Sequence, residues 1–345
     1  MPFDTYPLAV NVGLFVAGAA AVWVAGTRLA RYADALAHQT RIGHAFIGAI
    51  LLGGVTSLPE IATVVTAARL GNAPLAVNNM LGSVAMQVAI LAAADSMMRR
   101  HPIARLVPDP VVLLQGVLLI FVLANVLLGV TLGDRLVFGI GAWSWLILAV
   151  SLGAFFLIHR FDGHRTWKVD GMPRAATADA SKTPGRATLG TRHLAVGSVT
   201  AAVVILVAGF VLAHVGDALA RQTGLGSHFL GMALLATATS LPELSTTLSA
   251  VRLGAVTMAY SNIFGANILD TAILFLADAV YPGGPVLEAV GQFSAAATVL
   301  GIGLTAIALT GLLVRPTRQV LGLGPDSWAL VMAYLAGLWL LYGIR

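Results

Sequence analysis

The stretch TSLPE occurs twice in this chain, at Thr56–Glu60 and again at Thr239–Glu243, 183 residues later. Each copy sits inside a long apolar run. A carboxylate at that depth costs several kcal/mol, at roughly 2.5–3.5 for an acidic side chain at the centre of a membrane helix, unless it is paired, hydrated or metal-bound. Proline in the same turn removes a backbone donor and crowds the carbonyl four residues earlier, at Val55 and Ala238. One such insertion is a tolerated kink; the same acid, proline and hydroxyls in two places are a device.

The surroundings of TSLPE are membrane-like. Of 345 residues 58% are hydrophobic and 10% charged, with a mean hydropathy of +0.88, whereas a soluble domain carries about 25% charged residues. Ten apolar runs near the length of a bilayer span are present, at about 7–27, 43–69, 74–96, 111–130, 136–158, 194–215, 227–251, 257–280, 287–313 and 326–343. Runs of this length in lipid are helices. MPFDTYPLAV carries no basic residue before its apolar run, so the first span is expected to be retained rather than cleaved. There is no cysteine, hence no disulfide and no thiolate metal site. The isoelectric point of about 10.0 does not signal nucleic acid, because the basic residues lie between the apolar runs. With the N-terminus outside, 16 of the 20 Lys and Arg residues fall on the inner side, which predicts ten spans and both termini outside. The polar segment 161–193 reads as a flexible cytoplasmic linker between halves 1–160 and 194–345.

Shifted by 183 residues, the sequence aligns with itself without a gap from Gly26 to Asp95, with 32 identities in 70 positions. RYADALAHQT (31–40) faces HVGDALARQT (214–223), and TSLPEIATVVTAARLG (56–71) faces TSLPELSTTLSAVRLG (239–254). Five spans per half is an odd number, so the second half enters the membrane from the opposite side and the repeats are inverted. The predicted fold is all-α: ten transmembrane helices in two inverted five-helix repeats, with spans 2 and 7 antiparallel at the midplane.

Two of the chain's three glutamates are Glu60 and Glu243. Thr56 and Ser57 share a helix face with Glu60, as Thr239 and Ser240 do with Glu243. Spans 3 and 8 add Ser83 and Gln87, facing Asn267 and the third deep carboxylate, Asp270. This oxygen-only set suits Ca²⁺ or Na⁺ and not soft transition metals. Asn79 and Asn262 recur and read either as ligands or as packing glue; Arg69/Arg252 and Asp95/Asp278 recur at span ends and read as interface anchors. His44, His101, His214 and His228 read as interface histidines.

TSLPE in both halves, Gly82-Ser83 in span 3 and GANILD (265–270) in span 8 resemble the two alpha-repeats, here about 43–96 and 226–279, of the sodium/calcium exchangers in the cation/calcium antiporter superfamily. The resemblance implies exchange of Na⁺ for Ca²⁺ at a shared midplane site and alternating access by sliding of spans 1 and 6 over an eight-helix core. It implies ion ligands at Thr56, Ser57, Glu60, Ser83, Thr239, Ser240, Glu243 and Asp270, with backbone carbonyls at Gly53 and Ala236. Val55, Ala238, Val84, Gln87 and Ala266 depart from the family's pattern, which keeps proton coupling or another divalent cation as an alternative couple. A channel is the alternative from another class; an enzyme is disfavoured because neither HExxH nor cysteine is present. The expected setting is a prokaryotic plasma membrane, with lipid and small cations as partners, no resident cofactor and no nucleic acid.

Overall fold

The computed structural model describes residues 2–40, 43–98, 101–107, 109–162, 190–223 and 239–344, and among these it is almost wholly helical. The first half contains α1 (Leu8–Thr40), α2 (His44–Thr56), α3 (Leu58–Arg69), α4 (Ala73–Asp95), α5 (Val111–Leu132) and α6 (Ala142–Asp162). The second contains α7 (Thr191–Gln222), α8 (Leu241–Arg252), α9 (Val256–Val280), α10 (Gln292–Val314) and α11 (Pro325–Ile344). Eight of these helices are long and apolar enough to span a membrane, and the bent pair α2–α3 makes a ninth, among the described residues. The first part of span 7, with Ala236 and Ala238, lies outside them, as does 163–189 of the expected linker. The ten-span reading is consistent with this set.

Two spans start later than the sequence suggests. Residues 136–141 form a two-stranded hairpin, Leu136–Val137 pairing with Ile140–Gly141, and α10 begins at Gln292 rather than near 287. Leu-Val-Phe-Gly-Ile is as apolar as a helix, so hydropathy merges it with the span that follows. Phe138 (φ 53°) and Gly139 (φ 82°) make the two-residue turn with both φ positive that matches strand twist. Leu321 (φ 52°) and Gly322 (φ 83°), 183 residues on, make the same turn beneath the Val320–Leu323 bridge. The repeat therefore continues well past Asp95.

The halves are interwoven. α9 packs against α5 and α6, and its counterpart α4 packs against α10 and α11. α1 and α7 run antiparallel as a pair, the most extensive helix contact among the described residues. They are tied near one end by Asn11 Nδ2 donating to Gln222 Oε1 (3.1 Å) and near the other by Thr191 Oγ1 donating to Gln39 Oε1 (3.2 Å). At 33 residues α1 is about 50 Å long, well beyond a hydrocarbon core of about 30 Å, so its last turns extend past the membrane.

Asp95 and Asp278 are not interface anchors. Both are buried, at 0% and 2% exposure. Asp95 Oδ1 accepts from Ile103 N–H (2.6 Å) and its Oδ2 from Gly324 N–H (2.6 Å). Asp278 Oδ1 accepts from Val286 N–H (2.9 Å) and its Oδ2 from Gly141 N–H (2.9 Å) and Ser144 Oγ–H (2.5 Å). All the backbone partners are equivalent under the 183-residue shift. Each aspartate holds the loop after its own helix with one oxygen and the other half with the second. Gly141 is needed for this approach: a Cβ there would meet Asp278 Oδ2 at 2.6 Å. Asp134 crowds the same glycine, and burial raises its carboxyl above the ordinary range against the pull of the Trp143 and Arg135 N–H groups. Arg69 and Arg252 match the anchor reading, as exposed last residues of α3 and α8.

Candidate functional site

The membrane span that holds the first TSLPE is broken inside it. α2 ends at Thr56 and α3 starts at Leu58, the two bent by 47°. Pro59 sits in the first turn of α3, where its missing N–H costs least. A π-turn at Gly48–Leu52 precedes the break, the kind of irregularity that re-aims a helix at a functional site. α8 likewise begins at Leu241 with Pro242 in its first turn. Glu60 and Glu243 thus both stand in the first turn of a half-helix, where unpaired N–H groups favour negative charge. Small residues let the broken helix reach the centre: a Cβ on Gly53 would lie 2.7 Å from Ala266 N, and one on Gly265 would strike Ala49.

All ten expected ligand side chains are buried: Thr56, Ser57, Glu60, Ser83, Gln87, Thr239, Ser240, Glu243, Asn267 and Asp270, none more than 1% exposed. Gln87 Nε2 donates to Asp270 Oδ2 (3.0 Å) and more weakly to both oxygens of Glu60 (3.4 Å each). Asn267 Nδ2 donates to the Val84 carbonyl (3.4 Å). Gln87 and Asp270 are counterparts in the repeat, and so are Val84 and Asn267. Equivalent residues touch only where the pseudo-twofold axis passes, so the axis runs between α4 and α9 through this cluster. Ser83 lies toward Glu60, Thr56 toward Glu243 and Ser57 toward Asp270. The first TSLPE thus lies beside the carboxylates of the second half as well as its own glutamate.

Several oxygens here have no hydrogen-bond donor among the described residues: Glu243 Oε1 and Oε2, Asp270 Oδ1, Asn267 Oδ1, Gln87 Oε1, and the hydroxyls of Ser57, Ser83 and Ser240. Leaving buried oxygens unsatisfied is costly, and all are of the hard type that binds Ca²⁺ or Na⁺. Gly53 is different. Its carbonyl accepts from Thr56 Oγ1 (3.1 Å) and Ser57 N–H (3.0 Å), so it is engaged within its own turn. Ala236 lies outside the described residues. Asn262 behaves as packing glue, donating to Thr246 Oγ1 and Thr247 Oγ1 at 2.9 Å each.

Sequence reasoning missed the surface on which the α1–α7 pair rests. α7 crosses TSLPE at Gly209, where a Cβ would lie 2.5 Å from Pro59 Cγ; its counterpart Gly26 on α1 meets Ser245 of α8. Ser249 Oγ donates to Thr27 Oγ1 (3.2 Å) on the same face. The repeat carries the signal, since Gly26 and Gly209 are aligned and identical. Gly209→Leu should force α7 off Pro59, an overpacking cost of about 1–3 kcal/mol, and lower the denaturation midpoint of the protein in detergent. Unfolding followed by tryptophan fluorescence measures this.

A model of the sodium/calcium exchanger protein family matches residues 10–161 and 193–343. Among curated sequences, CaxA of Alkalimonas amylolytica is 25% identical over 329 residues, covering 93% of this chain and 95% of that protein. The inner membrane protein YrbG of Escherichia coli is 26% identical over 261 residues, covering 76% and 77%. Among solved structures, the sodium-calcium exchanger NCX_Mj soaked with Na⁺ and Sr²⁺ superposes with a TM-score of 0.71 at 16% identity, covering 96% of this chain and 99% of that one. That last likeness concerns the fold.

Proposed function

This chain belongs to the sodium/calcium exchanger family, and from that premise we propose that it extrudes Ca²⁺ against Na⁺ influx by alternating access, with both ions using the cluster around Glu60, Glu243 and Asp270. It is a multi-pass integral membrane protein of exchanger fold. The observation that carries the ionic assignment is the set of unsatisfied buried oxygens contributed by both halves. Glu60, Glu243, Asp270, Ser57, Ser83 and Ser240 supply most of the ligands, and Thr56 and Thr239 complete them. Asn267 and Gln87 offer amide oxygens, while the Gln87 N–H groups hold Glu60 and Asp270 in place. Uncompensated carboxylates at this depth are too costly to seal away from water, so the α1–α7 pair slides over the core only when cations neutralise them. That requirement makes transport an exchange. The basic residues on the linker side support an orientation with both termini outside, and the bacterial relatives support a prokaryotic plasma membrane.

The test is tracer Ca²⁺ uptake in sealed vesicles. An outward Na⁺ gradient should drive uptake, and unlabelled Ca²⁺ on the opposite side should accelerate it by saturable counterflow. Uptake driven by a pH gradient alone would replace Na⁺ with H⁺ as the coupling ion. Flux that does not saturate would mark a channel.

A further inference from the structure

A second group of ligand-type side chains lies at the far end of α1, away from the carboxylate cluster. Asp34 and His38 are one helical turn apart on α1, and His44 opens α2. His44 Nε2 lies 3.3 Å and His38 Nε2 3.7 Å from the same oxygen, Asp34 Oδ1. The two imidazoles meet edge to face with centroids 4.8 Å apart, and one ligand atom from each of the three residues falls within 4.8 Å of the others. In a tetrahedral site with metal–ligand bonds of about 2.0–2.1 Å, neighbouring ligand atoms stand about 3.3–3.4 Å apart. The observed spacings need only a small adjustment to reach that. Asp34 is buried, His44 half-buried and His38 exposed, which gives a fixed carboxylate, two imidazoles and an open side for water and for ion access.

We propose that Asp34, His38 and His44 form a binding site for a borderline transition metal of the Zn²⁺ type, which fastens α1 to α2 and so holds the α1–α7 pair in place. Two imidazoles and one carboxylate select Zn²⁺, Ni²⁺ or Co²⁺ over Ca²⁺ and Na⁺, the reverse of the oxygen-only cluster at the midplane. The two sites are therefore separated by chemistry as well as by place. The site is also one-sided. Asp34 has an identical counterpart, Asp217, but His38 and His44 correspond to Arg221 and Ser227. A metal thus acts at one face of the membrane. The inhibitory consequence rests on the reading of α1 as a moving element; the binding itself does not.

The experiment has two arms, both with Zn²⁺ as the probe. Purified full-length protein in detergent, titrated by calorimetry, should bind one Zn²⁺ with micromolar or tighter affinity. His38→Ala and His44→Ala should each weaken this at least tenfold, while Glu60→Gln leaves it unchanged. Binding that survives in the His38→Ala/His44→Ala double variant would overturn the site. In vesicles, Zn²⁺ on the His38 side should inhibit Ca²⁺ counterflow of the parent protein and spare His38→Ala. If Zn²⁺ binds at the histidines yet flux is unaffected, the fastening of α1 is refuted while the site stands. A parent protein that binds Zn²⁺ but exchanges no Ca²⁺ would refute the transport reading instead.

Discussion

Glu243→Gln is expected to lower the initial rate of Na⁺-driven Ca²⁺ uptake by at least about 100-fold, equivalent to about 2.7 kcal/mol, with the protein still folded. Both Glu243 oxygens lack a donor among the described residues, so both stay available to a cation. Glutamine keeps the shape and one oxygen but removes the charge and presents an N–H group to the incoming cation. Glu60→Gln should be nearly as damaging. Its oxygens already face the Gln87 amide, so a second amide there also sets donor against donor. Gln87→Ala tests the supporting role separately: it removes the group that spaces Glu60 from Asp270 and should raise the apparent Km for Ca²⁺ more than it lowers the maximum rate. If Glu243→Gln retains uptake within about twofold of the parent, the ion does not use this carboxylate and the site assignment falls.

Much of this arrangement is legible in the sequence because it is duplicated. One TSLPE is a kinked helix with an unexplained acid; two copies, offset by the five spans of one half, define an inverted pair and a midplane site. What the repeat alone does not convey is which residues meet across the axis. Helix-face spacing joins Thr56 to Glu60, but Thr56 Oγ1 turns back to the Gly53 carbonyl, and Ser57, which ends the helix, lies beside Asp270. Nor does spacing show that Gln87 would donate to its own counterpart, since that depends on where the axis passes. Hydropathy fails for a different reason at 136–141, where a hairpin is built from residues as apolar as the adjoining helix. The run of high identity stops at Asp95, yet Gly141, Ser144 and Trp145 keep the same offset to Gly324, Ser327 and Trp328. Gly141, Ser144 and Gly324 among these are partners of the buried aspartates, and a charge at a span end reads as an interface anchor because nothing nearby in sequence satisfies it.

Asp95→Asn and Asp278→Asn should each destabilise the protein by about 2–4 kcal/mol, the cost of leaving a buried N–H group facing another donor in place of a charged acceptor. Each aspartate accepts two backbone N–H groups, one local and one from the opposite half. Asparagine offers one oxygen and one amide nitrogen, so whichever way it turns, one of those donors loses its partner. Ser144 does not rescue Asp278→Asn, because accepting from the new amide leaves Gly141 N–H unsatisfied. The inverted repeat places the two clasps on opposite faces of the membrane, and sites so far apart add. The double variant should therefore lose the sum of the two single losses. Unfolding in detergent followed by tryptophan fluorescence reads both ends, since Trp145 donates to the Val137 carbonyl (3.1 Å) beside one clasp and Trp328 to Val320 (2.8 Å) beside the other. An interface anchor behaves otherwise: an exposed aspartate exchanged for asparagine changes stability by about 0.5 kcal/mol or less. Losses that small at both positions would return the pair to the membrane surface, whereas equal and additive large losses would show the two halves held together at each face by a carboxylate reaching across.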